Sequence, residues 1–136
     1  MNTIKVKILS FSFKHGRPED PEGHGGGFIF DCRSLPNPFW DKNIRHYTGC
    51  DQPVADFFDN YPERVNPFLE AAERLVRLAI NAYLSDGRTA LQVAFGCTGG
   101  QHRSVYFAER LAANLRNTPN VTIEVIHAAK QYWKTV

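Results

Sequence analysis

One passage limits the fold more than any other. "TALQVAF", Thr89 to Phe95, reads as a strand and passes without a break into the glycine-rich "GCTGGQHRS", Gly96 to Ser104. Beyond that turn Val105, Ala108, Leu111, Ala112 and Leu115 mark one helical face, "TPN" closes the helix, and "VTIEVI", Val121 to Ile126, alternates as a further strand. Strand, crossover helix and strand make a βαβ unit, which winds right-handed; open sheets of this kind receive ligands beyond the carboxyl ends of their strands. The expected class is α/β: a small, open, mainly parallel sheet with flanking helices, with the 96–104 loop at a ligand-receiving end.

The rest of the chain supplies the other layers. In "TIKVKIL" the apolar Ile4, Val6 and Ile8 alternate with Lys5 and Lys7, the period of a half-buried strand. Lys14 to Gly27 gathers Gly, Pro and acidic residues with no period and reads as a surface loop. "FIFDC", Phe28 to Cys32, is a second strand, and Pro36 and Pro38 bar a helix after it. Asp51 to Tyr61 reads as a short helix with Asp51 as cap and Pro53 near its first turn. A longer helix is expected from Asn66 as N-cap and Pro67 at its first position. Phe68, Leu69, Ala72, Leu75, Val76, Ala79, Ile80 and Tyr83 would form its apolar face, and Ser85, Asp86 and Gly87 its end.

Size and charge narrow the class further. A chain of 136 residues suits one domain, taken as 1–136, and 43% apolar with 22% charged residues is ordinary globular usage. Lys and Arg number 16 against 14 acidic residues, a balance too mild to demand nucleic acid or an acidic membrane. The three cysteines, Cys32, Cys50 and Cys97, are odd in number and form no C-x-x-C pair, so neither a disulfide framework nor a zinc ribbon is indicated. A reduced, cytoplasmic protein follows as the expectation. The N-terminus reads as a strand and not a signal peptide, and no apolar run approaches the roughly 18 residues of a membrane span. With no Walker-type phosphate loop, no metal-ligand spacing and no cofactor motif, no cofactor and no metal are expected.

Three chemistries compete for the loop. A glycine-rich turn at a helix N-terminus aims backbone N–H groups at one point, where the helix adds about half a positive charge. Arg103 offers planar donors to an anion from a surface cleft, Thr98, Ser104 and Gln101 neutral ones, and His102 either charge or a solvent-facing ring. In the plainest alternative the glycines only let the chain reverse. In the third, the Cys97-x5-Arg103-Ser104 spacing resembles the protein tyrosine phosphatase loop, with Cys97 as thiolate nucleophile, Arg103 as phosphoryl clamp and Asp31 or Asp51 as general acid. Gly96 stands where such phosphatases carry histidine.

Several separated segments share a wider likeness. "FSFKHGRP", "FIFDCRSLPNPFW", "YTGCDQPVADF" and "GCTGGQHRSVYFAERLA" resemble, in that order, the C-terminal domain of the RapZ/YvcJ family, over about residues 8–127. In full-length members this domain follows a P-loop nucleotide-binding domain, so the chain looks like a free-standing version. The resemblance implies a binding role: a sensor of glucosamine-6-phosphate or another phosphorylated small molecule, a nucleotide included, an adaptor of small RNA to an endoribonuclease, and self-association into a homo-oligomer. Carried over by residue, the anion site falls on Thr98, Gly99, Gly100, Gln101, His102, Arg103 and Ser104, with His15 as a further contact. Asp31, Arg33 and Asn37 would line the same cleft. Each has a plainer reading: His15 as a loop residue, Asp31 with Arg33 as an ion pair, Asn37 as a turn residue.

Two departures from the family stand out. The first loop is lengthened and glycine-rich around Glu22 to Gly27, and "HAAKQYWKTV" carries only Lys130 and Lys134 where RNA-binding members carry a dense basic tail. Tyr132 and Trp133 are expected to dock on the protein or a neighbouring subunit in preference to stacking a base, and Lys5, Lys7 and Lys14 to form a solvated face.

Overall fold

The computed structural model describes residues 2–20 and 26–135; most of the lengthened stretch from Glu22 to Gly27 lies outside the described residues. Four strands form one sheet: β1 (Ile4–Ser12), β2 (Gly27–Asp31), β3 (Ala90–Cys97) and β4 (Val121–His127), in the order β2-β3-β1-β4. Every neighbouring pair is parallel. The helices are α1 (Gln52–Phe58), α2 (Pro62–Ser85) and α3 (Arg103–Leu115), with short 3-10 turns at Pro38–Trp40 and Lys130–Tyr132. The α/β class and the parallel βαβ unit are as the sequence predicts, except that β1 lies between β3 and β4.

Alternation sorts the strands onto two faces. Ile4, Val6, Ile8, Leu91, Val93 and Phe95 meet Val76, Ile80, Phe107, Ala108 and Leu111 from α2 and α3 in the main core. The opposite face carries a smaller cluster of Leu9, Phe11 and Ala94 under Phe13 and Ile126. Towards the amino ends that face turns polar, where Lys5 pairs with Glu124 at 3.2 Å, both half exposed. This is the solvated lysine face expected of an alternating strand.

The long helix departs from its predicted start. It begins at Pro62, with Tyr61 as N-cap, and Pro67 sits inside it. Pro62 occupies the first turn, where a missing N–H is harmless, and the extra turn brings Val65 into the core at 3% exposure. Burying a valine stabilises by about 1.5 kcal/mol or more, which offsets part of the roughly 3 kcal/mol that an internal proline costs. The buried stripe is Val65, Leu69, Ala72, Val76 and Ile80, whereas Leu75 is 45% exposed and falls off it. In α1, Asp51 holds the N-cap position but makes no cap bond; its carboxylate instead accepts the Thr48 N–H at 2.7 Å.

Because all four strands run the same way, their carboxyl ends lie together. After β1 the chain runs over the smaller-cluster face as far as Glu19, whose carbonyl takes the Gln92 side-chain amide at 2.9 Å. It leaves the adjacent β3 for the β4 edge through α3 on the main-core face. Connections that part from neighbouring strands to opposite sides of a sheet open a crevice between the strand ends, the usual ligand position in such folds.

Candidate functional site

At that crevice Ser12 ends β1 and Thr98 follows β3, and the Ser12 hydroxyl donates to the Thr98 carbonyl at 2.6 Å. The loop from Thr98 to His102 joins β3 to α3, and its two halves differ. Thr98 and Gly99 are exposed. The amides of Thr98, Gly99, Gly100 and Gln101 donate to no acceptor among the described residues. They stand before the first turn of α3, where unpaired N–H groups and the helix dipole favour an anion.

From Gly100 onward every side chain is engaged by the protein. Gly100 has φ +70, and a Cβ there would come within 2.6 Å of Ala129 Cβ and 3.0 Å of Ser12 Cβ, so only glycine lets the turn lie against both. Gln101 Nε2 donates to the Tyr47 carbonyl at 3.0 Å and reaches those of Arg45 and Lys134 at 3.3 Å, while its Oε1 accepts the Lys134 N–H at 2.9 Å. His102 is neither a solvent-facing ring nor a cation. It is 7% exposed, Nε2 lies 2.8 Å from the Arg45 carbonyl, and burial holds its pKa below the usual histidine value.

Arg103 is likewise not on an open surface: it is 6% exposed, and Nη1 donates to the carbonyls of Arg33 at 3.0 Å and Leu35 at 3.2 Å. Its Nη2 and Nε have no acceptor among the described residues. Arg103 therefore anchors the 33–35 segment beside the loop and leaves part of its guanidinium uncommitted among the described residues. Ser104 is fully buried, its hydroxyl 3.1 Å from Cys97 Sγ and its amide donating to the same sulfur at 3.5 Å.

The flanking candidates divide. His15 is exposed in the turn after β1, and its ring stacks on Tyr132 with centroids 3.6 Å apart and planes 6° from parallel. Asp31 and Arg33 form a bidentate ion pair with contacts of 2.7 to 3.0 Å at the end of β2, about half exposed, with the guanidinium 4.0 Å over the Phe13 ring. The hydrogen bonds from Arg33 hold the Asp31 carboxyl below its ordinary range. Asn37 turns instead into an opening of about 630 Å³ lined also by Trp40, Lys42, Phe57, Tyr61 and Arg64. Its Oδ1 caps the 3-10 turn through the Phe39 N–H.

Sequence reasoning passed over the braces. Trp133 Nε1 donates to the Gly100 carbonyl at 2.7 Å, so the C-terminal segment docks on the loop itself. Gly49, one residue before Cys50, donates its amide to the Gln101 carbonyl at 2.9 Å, and a Cβ there would come within 2.5 Å of the His102 carbonyl. Only the docking preference assigned to the terminal aromatics hinted at this. The partners of Gln101 lie 33 to 56 residues away, beyond any local pattern.

Fold and loop together define a parallel α/β protein with a backbone-lined cradle at the carboxyl edge of its sheet. Residues 4–131 match the family model described as the RapZ C-terminal domain, and the chain belongs to that family. Among curated relatives, a protein of Ralstonia nicotianae named as nucleotide-binding is 47% identical over 120 residues, covering 88% of this chain and 38% of its own length. A similarly named protein of Halorhodospira halophila is 46% identical over 113 residues, 83% of this chain and 37% of the relative. One from Bifidobacterium longum is 41% identical over 131 residues, 96% of this chain and 38% of the relative. The chain thus spans about two fifths of the length of these relatives. Among the described residues no helix is long and apolar enough to cross a membrane.

Proposed function

We propose that this protein binds a phosphorylated small molecule, without turning it over, in the crevice between the ends of β1 and β3. The observation that carries the reading is the row of unpaired amides from Thr98 to Gln101 at the start of α3, open to solvent at Thr98 and Gly99. The free edge of Arg103 supplies charge, and the His15 ring stands on the next turn to meet a sugar or base. The relatives' name, nucleotide-binding protein, and the RapZ family together favour a phosphosugar such as glucosamine-6-phosphate or a nucleotide, in a regulatory role in the cytoplasm.

The surroundings favour binding over phosphoryl transfer. Cys97 is 3% exposed, and a general acid must hold a proton at working pH, whereas Arg33 keeps Asp31 ionised. Little favours RNA: Lys5 is paired with Glu124, Tyr132 with His15 and Trp133 with Gly100.

Phosphorus NMR titration with glucosamine-6-phosphate, followed over hours, tests the reading. A shifted or broadened phosphate signal, with no inorganic phosphate appearing, is expected in both wild type and Cys97→Ser. Inorganic phosphate that grows only while Cys97 is present would replace the binding role with the phosphatase. An unperturbed signal, repeated with a nucleoside monophosphate, would remove the loop as a phosphate site.

A further inference from the structure

A second group of chemistry-bearing side chains gathers at the β4 edge of the sheet's carboxyl end. Cys50 precedes α1, Glu109 projects from the middle of α3 and His127 closes β4. Their ligand atoms all lie within 4.8 Å of one another. His127 Nε2 stands 2.7 Å from Glu109 Oε2 and 3.8 Å from Cys50 Sγ. We propose that Cys50, Glu109 and His127 form a site for one divalent metal ion of the zinc class, with a fourth position open to solvent.

The donor set and spacing fit that ion. Thiolate, imidazole and carboxylate are the zinc-binding side chains, and three protein ligands with one free position is the pattern of open zinc sites. Bonds of about 2.0–2.3 Å in a tetrahedron set ligand atoms about 3.3–3.6 Å apart. The sulfur and imidazole nitrogen are already near that separation. The carboxylate must withdraw from the nitrogen by about 0.6 Å to reach it, which suits Glu109, whose side chain is 38% exposed.

The imidazole is held in place from behind. Ser10, fully buried on β1, places its hydroxyl 2.6 Å from His127 Nδ1, leaving Nε2 directed at Glu109 and Cys50. Outer partners of this kind orient metal-binding histidines. Where the neutral imidazole carries its proton on Nε2, that proton first moves through solvent to Nδ1, which frees the Nε2 lone pair for the ion, and the rotatable Ser10 hydroxyl turns to accept the Nδ1–H hydrogen bond. The Cys50 thiol releases its own proton to water as sulfur binds.

The competing reading, a nucleophilic thiol with a histidine base, needs a thiol pKa brought down. Here His127 Nε2 instead lies nearer the Glu109 carboxylate, at 2.7 Å, than the Cys50 sulfur, at 3.8 Å, so the ring is not committed to activating the thiol. An ion here would also tie the Cys50 segment, α3 and β4 to one another. Gly49 and Trp133, which brace the 98–102 loop, adjoin that same site: Gly49 precedes Cys50, and the Trp133 ring lies 5.7 Å from the His127 ring.

Titration of chelator-treated protein with cobalt(II), followed by zinc competition, tests the site. Wild type is expected to take up one cobalt per chain, with a sulfur-to-cobalt charge-transfer band and tetrahedral visible bands that zinc abolishes. Cys50→Ser, at an exposed position, should lose the charge-transfer band and bind zinc at least about tenfold more weakly, and Ser10→Ala should weaken it by roughly tenfold through the ring alone. Zinc should also slow Cys50 alkylation in wild type, a readout independent of the buried Cys32 and Cys97. Zinc affinity unchanged in Cys50→Ser, or no cobalt uptake by wild type at millimolar metal, would overturn the proposal.

Discussion

The two halves of one short loop behave as different materials. Thr98 and Gly99 face solvent, whereas Gly100, Gln101, His102, Arg103 and Ser104 are buried and bonded to segments up to 70 residues away. The polar side chains that look most like ligand contacts are the ones holding the loop in place, while the backbone amides from Thr98 to Gln101 stay unpaired among the described residues. Backbone N–H groups stay open in this way only if something else keeps them from collapsing onto nearby carbonyls.

The sharpest way to break that contrast is to place one methyl group in each half. Gly100→Ala meets Ala129 and Ser12 at a positive φ, and should cost about 3 kcal/mol in denaturant unfolding. Gly99→Ala finds nothing within 4 Å and should leave the midpoint unchanged or slightly raised. Equal losses at the two positions would dissolve the distinction.

Arg103→Ala comes next. It strips the Arg33 and Leu35 carbonyls of their shared donor and should destabilise by about 2 kcal/mol as well as weaken phosphate binding. A variant that lost binding with unchanged stability would show the anchor to be dispensable. A smaller effect belongs to His102. Its folded pKa lies below its unfolded value, so between the two the unfolded chain holds more protons. Stability is therefore full above about pH 6.5 and falls as the pH drops from there towards the folded pKa. Thermal melts from pH 7.5 to 5 should show this decline, and His102→Gln should flatten it.

The smallest stability effect is expected at Thr98→Ala, within about 0.5 kcal/mol, because the Thr98 side chain is exposed and makes no hydrogen bond among the described residues. Phosphate affinity read by calorimetry should fall only modestly, since the backbone amides remain. A large loss would move the recognition from backbone to hydroxyl.

Strand and helix periods are local quantities, so Ile4, Val6 and Ile8 on β1, the strand into Gly96 and the face of α3 could all be read from residue order. So could the place of the 98–102 loop, because a turn between a strand and a helix at the carboxyl edge follows from chain direction alone. The same logic failed at Asn66 and Pro67. Local cap rules name the nearest proline as a helix start, and only the burial of Val65 against the sheet favours the turn begun at Pro62.

What the sequence alone determined was thus the α/β class, the parallel βαβ unit and the position of the loop, all consequences of spacing along the chain. The tertiary structure decided which half of the loop faces solvent, why Arg103 and His102 are interior groups, and how Cys50, Glu109 and His127 come together across 77 residues. The physical reason is the same for each. A side chain's role here is set by which carbonyl or ligand atom it meets, and those partners arrive from strands and segments whose adjacency only the sheet order β2-β3-β1-β4 creates.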